Sequence, residues 1–463
     1  MQTGPWLFVA MWTAAGRVGT ATLGALLPRL RIFNSGVVNA RPSRQSLREW
    51  LARPCVVALT TVLGLLLPSA SAQDRDVYRQ CSAGTPDQQI GACSAIIASG
   101  GASRADLSTA LNIRGGAYVQ KGAYDRAIQD LDQAISLDPT NARAFYNRGI
   151  AHRKKGENEI AIKDYNEAIR LNPKYVLAFN DRASAYSNQG QIERAIQDYD
   201  EAIRINPKFV AAFYNRGRTY LLKGDHALAI ADLSEAIRLY PNDPDAFNNR
   251  GIAFNRIDDS SRAIEDFTAA LGLNPRSVRT LNNRCGAYLT KGDAERAITD
   301  CDTAIRLDPN DVLALANRGL AAVIIGNPDG AIGYLDEAIR LRPDLATAFN
   351  NRGLAYLAKG DTDHAIREFN EAIRLNPADV SALYNRGRAY VENKGEYERA
   401  IADFSEALRL KPQFSKALYA RGTVKLRKGD TAGANTDMAA AKAMSPDVAE
   451  RLARFETRPQ LSE

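Results

Sequence analysis

Asparagine recurs at one place in this sequence every 34 residues, and its side chain suits contact with a peptide backbone. An amide offers two donors and an acceptor, so one asparagine can bond a peptide N–H and a C=O together. Each bond contributes only about 1 kcal/mol net, so affinity would require several in series. The alternative is that asparagine is a polar residue tolerated on a wet helix face. The asparagine row consists of Asn147, Asp181, Asn215, Asn249, Asn283, Asn317, Asn351 and Asn385.

Tyrosine stands immediately before three members of the row, at Tyr146, Tyr214 and Tyr384. Its ring gives a rigid contact area with a polar tip, which suits a protein-binding surface. Packing of the same rings against a neighbouring part of the chain is an equally good interpretation.

The residues that could support catalysis or hold a metal are scattered. The three histidines, His152, His226 and His364, are far apart in the sequence, and no CxxC pair is present. The sequence contains no HExxH, no GxSxG and no glycine loop that would cradle a phosphate. We therefore predict a protein that is not an enzyme and that has no cofactor and no metal. An enzyme whose site shows no motif is the remote alternative.

Proline recurs at the same interval and shows how the chain is organised. Ten prolines, from Pro139 to Pro446, are spaced by 34 residues, with one interval of 35 before Pro412. They define ten units over residues 108–448. Each unit of this length is one supersecondary element that stacks on its neighbours. The 463 residues are therefore not the three globular domains that their number alone would suggest.

One unit can be interpreted residue by residue as a pair of helices. In the second unit, Phe145 and Gly149 have helical spacing, and Gly156 ends that helix. The pattern resumes at Ala161 and stops before Pro173. Small residues on both helices let them approach closely. A single hairpin cannot bury its apolar face alone, but a stack of hairpins can.

These features resemble the tetratricopeptide repeat family. The 34-residue period, the aromatic-x-x-x-Gly-x-x-Tyr opening, the Ala-x-x-x-aromatic-x-x-Ala second helix and the closing proline carry the resemblance. It implies an all-α fold, a right-handed superhelical solenoid whose first helices line a concave groove. It also implies that the asparagine row faces this groove. The row resembles the asparagine ladder of O-linked N-acetylglucosamine transferases, which grips an extended polypeptide.

Arginine occupies the place after the asparagine in each unit, where the family usually has leucine. An acid follows sixteen residues later in most units, as Asp164 follows Arg148, whereas the seventh unit has Tyr334 at that place. This recurrence predicts structural salt bridges, either between the two helices of a unit or to the adjacent unit. It is not evidence for acid–base catalysis.

Four cysteines lie beyond the N-terminal segment and form two candidate disulfides. Cys81 and Cys93 are twelve residues apart, and free thiols or a metal pair are their alternatives. Cys285 replaces the usual glycine and Cys301 the usual aromatic residue of one unit, at two places that should face each other. The alternative for this second pair is two buried thiols that fill the core.

The N-terminal segment is typical of a secretory leader. Residues 55–67 carry no charge, follow Arg44, Arg48 and Arg53, and precede a small-residue end at Ala72. This pattern predicts a signal peptide cleaved after Ala72 and a periplasmic or secreted protein. Thirteen apolar residues fall short of the roughly 20 that span a membrane, so an uncleaved anchor is the less favoured alternative. Because residues 1–43 extend the leader unusually far, we expect the true start near Val37 or Val38.

The charge of the chain supports the same division. The net charge is +7, but residues 1–72 hold seven arginines and one acid. The rest has 53 basic and 52 acidic residues, so nucleic acid is disfavoured as a partner. The predicted organisation is a leader at 1–72, a capping segment with the first cysteine pair at 73–107, ten repeats at 108–448, and a capping helix and tail at 449–463.

Three functions are compatible with these features. We expect a non-enzymatic scaffold whose groove binds a protein or an extended peptide of unknown identity. A membrane-tethered envelope assembly factor and the motif-less enzyme are the alternatives. Basic residues expected to border the groove favour acidic segments in the partner; they are Arg143, Arg218, Arg279, Arg388 and Lys416.

Overall fold

The computed structural model describes residues 72–392 and 395–450. The chain divides into two compact units, Met1–Arg75 and Asp76–Glu463, and the repeats lie in the second. The predicted leader and most of the predicted C-terminal capping helix lie outside the described residues. So do residues 393–394, where the ninth repeat has its inserted residue.

The described residues form twenty-two helices and no strand. Two helices precede the repeats, α1 (Ala72–Ala83) and α2 (Pro86–Ala98). Each repeat then contributes a first and a second helix. In order these are α3 (Arg104–Gln120) and α4 (Tyr124–Leu137), α5 (Ala142–Lys154) and α6 (Asn158–Leu171), α7 (Val176–Asn188) and α8 (Ile192–Ile205), α9 (Val210–Lys223) and α10 (His226–Leu239), α11 (Pro244–Arg256) and α12 (Ser260–Leu273), α13 (Val278–Lys291) and α14 (Ala294–Leu307), α15 (Val312–Ile324) and α16 (Pro328–Leu341), α17 (Ala346–Ala358) and α18 (Thr362–Leu375), α19 (Val380–Glu392) and α20 (Tyr397–Leu410), α21 (Ser415–Arg427) and α22 (Thr431–Met444).

Helix α2 begins with a complete set of start signals. The Thr85 side chain accepts from the backbone N–H of Gln88, and the Gln88 side chain accepts from the backbone N–H of Thr85. Pro86 fits the first turn because its missing N–H would have no partner there. The helix ends before Gly100, whose φ is 66°. A turn, a helix and a glycine break therefore precede the first repeat.

The turn inside each repeat requires a left-handed backbone conformation. Glycine supplies it in most repeats, as at Gly156, where φ is 85°. The fifth repeat has Asp258 instead, with φ of 62°, and among the described residues no other side-chain-bearing residue has a positive φ. Asp and Asn tolerate this conformation better than other residues, which explains how the repeat keeps its turn without glycine.

Close packing inside each repeat depends on a glycine in the first helix. A Cβ on Gly149 would lie 2.6 Å from Cε1 of Tyr165 in the second helix, which is too close for any side chain. Gly353 and Phe369 repeat this arrangement at 2.6 Å. The bulky ring thus fills the space that the missing side chain leaves, and the two helices lock together as knob and hole.

The repeats stack in order, as the sequence predicts for an all-α solenoid. The two helices of a repeat pack on each other, and each second helix packs on the next first helix. First helices also contact the first helices of neighbouring repeats, for example α15 and α17. The first helices therefore form one continuous inner surface, called the groove below. Within the described residues, no helix is both long and apolar enough to cross a membrane.

Candidate functional site

The asparagine row lies along the first helices, and most of its amides are already bonded between repeats. Asn147 Nδ2 donates to Asn112 Oδ1 of the preceding repeat at 2.9 Å. The partner lies 35 residues earlier, one place before the row. The equivalent donors and acceptors elsewhere are Asn215 and Asn180 at 3.1 Å, Asn249 and the Tyr214 hydroxyl at 3.1 Å, Asn283 and Asn248 at 2.9 Å, Asn351 and the Ala316 carbonyl at 3.3 Å, and Asn385 and Asn350 at 2.9 Å.

The sequence interpretation misses this clasp between first helices. It treats the row either as a surface for ligands or as polar residues tolerated on a wet helix face, whereas the structure shows bonds from the row to the preceding repeat. The signal that could reveal the clasp is the residue one place earlier, because asparagine or tyrosine there can accept a bond from the next repeat. A spacing of 35 residues, rather than 34, joins donor and acceptor.

Burial divides the row into covered and accessible members. Asn249, Asn351 and Asn385 expose only 6%, 3% and 8% of their surface. The half-buried members are Asn147, Asp181, Asn215, Asn283 and Asn317. No donor from the described residues reaches Oδ1 of the bonded asparagines Asn147, Asn215 or Asn283. These oxygens keep their capacity to accept a bond from a ligand N–H.

The three tyrosines next to the row pack between repeats. The Tyr146 hydroxyl donates to Asp181 Oδ2 at 2.8 Å, and its ring lies 4.9 Å from that of Tyr175. Burial, reinforced by the Asp181 carboxylate, holds the pKa of Tyr146 well above its usual value. Tyr384 is buried, with its ring 5.2 Å from that of Phe414. The packing interpretation of these tyrosines is therefore the better one, although Tyr146 and Tyr214 stay partly accessible.

The basic residues expected near the groove differ in their neighbours. Arg143 and Arg218 are exposed, and neither forms an ion pair with the described residues. Arg279 pairs with Asp245 of the preceding first helix. Arg388 lies 3.9 Å from Glu392 one turn later. Of the basic residues expected at the groove, Arg143 on α5 and Arg218 on α9 have no carboxylate partner among the described residues, and both lie in the first four repeats.

The arginine row forms the salt bridges that the sequence predicts, and it joins three helices. In the fifth repeat, Arg250 Nε and Nη2 donate to the two oxygens of Asp266 at 2.8 and 2.7 Å. Arg250 Nη1 donates to Ser234, on the second helix of the preceding repeat, at 3.0 Å. Both predicted alternatives hold at once. The row comprises Arg114, Arg148, Arg182, Arg216, Arg250, Arg284, Arg352, Arg386 and Arg421.

Pairing with carboxylates offsets the partial burial of these arginines. Burial alone would lower the pKa of Arg216, but hydrogen bonds from its guanidinium to Asp232 and Asp200 raise it. The charges compensate each other between the helices and offer no free acid or base. The row is therefore part of the framework of the fold.

The four cysteines lie in two pairs at disulfide distance. The Sγ atoms are 2.04 Å apart in Cys81 and Cys93 and 2.17 Å apart in Cys285 and Cys301. Cys285 and Cys301 are fully buried between α13 and α14. They take the places of the glycine and the aromatic ring that lock other repeats.

The histidines are dispersed in the structure as in the sequence. His152 Nδ1 lies 2.6 Å from Glu157, and His364 Nδ1 lies 2.7 Å from Asp361. Nδ1 of His226 is buried without a hydrogen-bond partner among the described residues. In the part of the chain that the structure describes, no cluster of His, Cys, Asp and Glu could hold a metal ion.

Several solved structures resemble this chain. A tetratricopeptide repeat protein from Parabacteroides merdae is 23% identical, with 54% of this chain and 99% of that one covered and a TM-score of 0.44. The APC/C hetero-tetramer Cut9–Hcn1 gives 16% identity, coverage of 87% and 99%, and a TM-score of 0.44. YrrB, described as a TPR protein with an unusual peptide-binding site, is 23% identical, with 40% of this chain and 95% of that one covered and a TM-score of 0.36. No curated protein matches the chain.

Family models match along most of the repeats. A tetratricopeptide repeat model matches residues 180–244, 248–312, 287–346, 350–413 and 392–449. Two further models match, a TPR repeat at residues 115–156 and a tetratricopeptide repeat at residues 142–175. The model that matches in five places between residues 180 and 449 alone covers more than half of the sequence. The chain belongs to the tetratricopeptide repeat family.

Proposed function

We propose that this protein is a scaffold whose groove holds an extended polypeptide through the accessible part of the asparagine row. Repeats of this family generally bind protein or peptide partners and typically act without catalysis. The observation that carries the finer proposal is the set of half-exposed asparagine side chains whose Oδ1 atoms have no donor among the described residues. An extended polypeptide offers N–H groups along its whole length, so it can satisfy several of these oxygens in series.

The structure changes how the row would work. Part of the donor capacity of most of these amides holds neighbouring repeats together, so a ligand would use mainly the carbonyl oxygens. Covered members of the row, such as Asn351, would act on the ligand only by fixing the spacing of the helices. Arg143 and Arg218 add positive charge that no carboxylate of the described residues compensates. This charge favours acidic residues in the polypeptide segment that lies over α5 and α9.

The proposal is tested with a polypeptide that cannot fold. Fluorescein-labelled, reduced and carboxymethylated lactalbumin is titrated with the purified chain, and anisotropy is recorded. We expect Asn215→Ala with Asn283→Ala to weaken binding by about tenfold or more, because two bonds of about 1 kcal/mol are removed. The matched control is Asn242→Ala with Asn310→Ala, two exposed loop residues. Equal affinity of both double variants, with circular dichroism unchanged, would rule out a role of the row in binding.

We further propose a periplasmic or secreted location. The sequence of residues 44–72 supports it, as do the two cysteine pairs at disulfide distance. Cell fractionation and mass spectrometry of the native protein test this. An N-terminus at Gln73 and disulfide-linked peptides in unreduced digests are expected. Recovery in the membrane with the leader intact would favour the tethered assembly factor instead.

A further inference from the structure

One asparagine of the row, Asn317 at the junction of the sixth and seventh repeats, takes no part in the clasp between first helices among the described residues. By analogy with its neighbours, Asn317 should donate to Asn282 Oδ1, but its side chain makes no hydrogen bond to the described residues. Asn282 Nδ2 donates instead to Asp311 Oδ1 at 2.7 Å. Asn282 Oδ1 is left buried without a partner among the described residues, in a side chain that exposes only 6% of its surface. An unpaired buried acceptor is costly, so this one calls for a partner.

Space is available beside this open junction. Gly286 follows Asn282 by one helical turn on the same face of α13, and a Cβ there would meet no atom within 4 Å. The equivalent place on α15 carries Leu320 and the equivalent place on α9 carries Arg218. The absence of a side chain at Gly286 therefore leaves room for a ligand beside Asn282 Oδ1 and the Asn317 side chain.

The neighbouring surface is apolar. Leu313, Leu320 and Val323 are spaced by seven and three residues, which places them on one stripe of α15 with Asn317. Leu354 and Leu357 continue the stripe on α17. Leu313 exposes 49% of its surface, although it lies on the groove side of a helix. This apolar stripe, defined by these five residues, has no counterpart on α5, where Arg143 and Arg153 take the places of Leu313 and Val323.

Charges at the two ends of the stripe are already compensated. Arg279 pairs with Asp245 on the preceding helix, and Arg388 lies beside Glu392. Arg318 points away from the groove, since its Nε donates to Asp302 on the second helix of the preceding repeat. The apolar stripe itself carries no charged side chain, and the Asp311 carboxylate at the junction is engaged in capping α15 and in accepting from Asn282. The stripe therefore matches a segment that is itself uncharged.

We propose that the junction of the sixth and seventh repeats anchors an extended polypeptide segment with uncharged, apolar side chains. The inference rests on the proposed function and names the kind of segment that binds. One residue of an extended segment supplies both missing partners, because its own N–H and C=O point to the same side of the chain. The N–H donates to Asn282 Oδ1 and the C=O accepts from Asn317 Nδ2. The apolar side chains of the segment then pack on the apolar stripe, which removes Leu313 and Leu320 from water.

Three fluorescein-labelled twelve-residue peptides test the assignment with the purified full chain. They alternate serine with leucine, glutamine or glutamate, and binding is followed by anisotropy. We expect the leucine peptide to bind most tightly. Leu313→Glu should weaken it by about tenfold or more, because it removes apolar contact and adds charge. Asn317→Ala should weaken it by about threefold to tenfold, as expected for one hydrogen bond.

Leu177→Glu is the matched control. Leu177 takes the same place in the third repeat as Leu313 in the seventh, and it is similarly exposed, at 43% against 49%. Neither substitution removes a buried side chain, so both variants should fold. We expect Leu177→Glu to change affinity for the leucine peptide by less than about twofold. Equal losses for the two variants, or equal affinity for the leucine and glutamine peptides, overturn the inference.

The outcomes separate this inference from the proposed function. If carboxymethylated lactalbumin binds in a manner that depends on Asn215 and Asn283, while Leu313→Glu has no effect on the leucine peptide, only the inference fails. If neither probe binds, both fail. Preferential binding of the glutamate peptide would move the anchor to α5 and α9 and would also overturn the inference.

Discussion

The arginine row and the asparagine row repeat with the same period, but they meet different physical demands. An arginine such as Arg250 lies between three helices, and each of its donor nitrogens has a partner there. An asparagine such as Asn283 lies at the groove, bonds one neighbouring repeat and keeps an acceptor that no described residue uses. Charge buried between helices must be compensated internally, whereas a neutral amide at a surface can divide its bonds between the fold and a ligand.

The seventh repeat shows what happens when both rows are interrupted. Tyr334 replaces the acid, its ring lies 4.8 Å from the Arg318 guanidinium, and Arg318 Nη1 is buried without a partner among the described residues. In the same repeat the Asn317 side chain bonds none of the described residues. Periodicity alone explains neither exception. The proposed ligand bears on the Asn317 exception alone, because Arg318 points away from the groove.

The largest effect is expected from breaking the arginine row. Asp266→Ala leaves the half-buried Arg250 without its bidentate partner, which should lower the free energy of unfolding by about 2–4 kcal/mol. Urea denaturation followed by circular dichroism measures it. Glu235→Ala, which removes an exposed ion pair with Arg238, is the control and should change stability little. Similar losses for both variants would contradict a structural role of the buried row.

Replacing glycine by alanine should change the stability of the fold in opposite directions on the two faces of the first helices, the face toward the second helix and the face toward the groove. Gly251→Ala places a Cβ 2.7 Å from Phe267 Cε1, and the resulting overpacking should cost about 1–3 kcal/mol. Gly286→Ala meets no atom within 4 Å on the groove side, so better helix propensity should stabilise the fold by about 0.5–1 kcal/mol. Thermal or urea unfolding measures both changes. Destabilisation by both substitutions would show that the groove face is also tightly packed.

Two asparagines of one row should differ in their effect on stability. Asn283→Ala leaves Asn248 Oδ1 without its donor in a fully buried side chain, at a cost of about 1 kcal/mol. Asn317→Ala removes no bond to the described residues and should leave the unfolding free energy unchanged. Urea unfolding of the two variants in parallel measures the difference. An Asn283→Ala protein as stable as the parent chain would mean that the clasp contributes nothing to the stack.

The smallest effect is a gain in the seventh repeat. Tyr334→Asp restores the acid that the other repeats have, so Arg318 can form the bidentate pair and satisfy more of its donors. We expect stabilisation by about 1 kcal/mol or less, because the new carboxylate must itself be desolvated. The midpoint of urea unfolding provides the measurement. A lower midpoint would show that the stacking of Arg318 on Tyr334 is the better solution in this repeat.

The sequence predicts those features of this fold that depend on contacts within one repeat. The helix pairs, the turn at each glycine, the pairing of Arg250 with Asp266 and the facing places of Cys285 and Cys301 all follow from spacing along two adjacent helices. Both helices belong to one hairpin of known geometry, so sequence distance translates directly into spatial distance.

Contacts between repeats are less predictable from the sequence. The bond from Asn147 to Asn112 depends on the rotation from one first helix to the next, which the 34-residue period does not specify. The burial of Asn351 and Asn385 depends on the same rotation. The open junction at Asn282 and Asn317 is a local exception, because Asp311 caps the next helix and takes the Asn282 amide at the same time.

The central claim is that the arginine row holds the helices together while the asparagine row contacts the ligand. Hydrogen–deuterium exchange of the full chain, with and without carboxymethylated lactalbumin, tests this claim most directly. We predict that the bound polypeptide slows exchange in first helices, including α13, α15 and α17, and leaves the second helices α14 and α16 unchanged. Protection confined to the second helices, or spread evenly over both, would contradict this division.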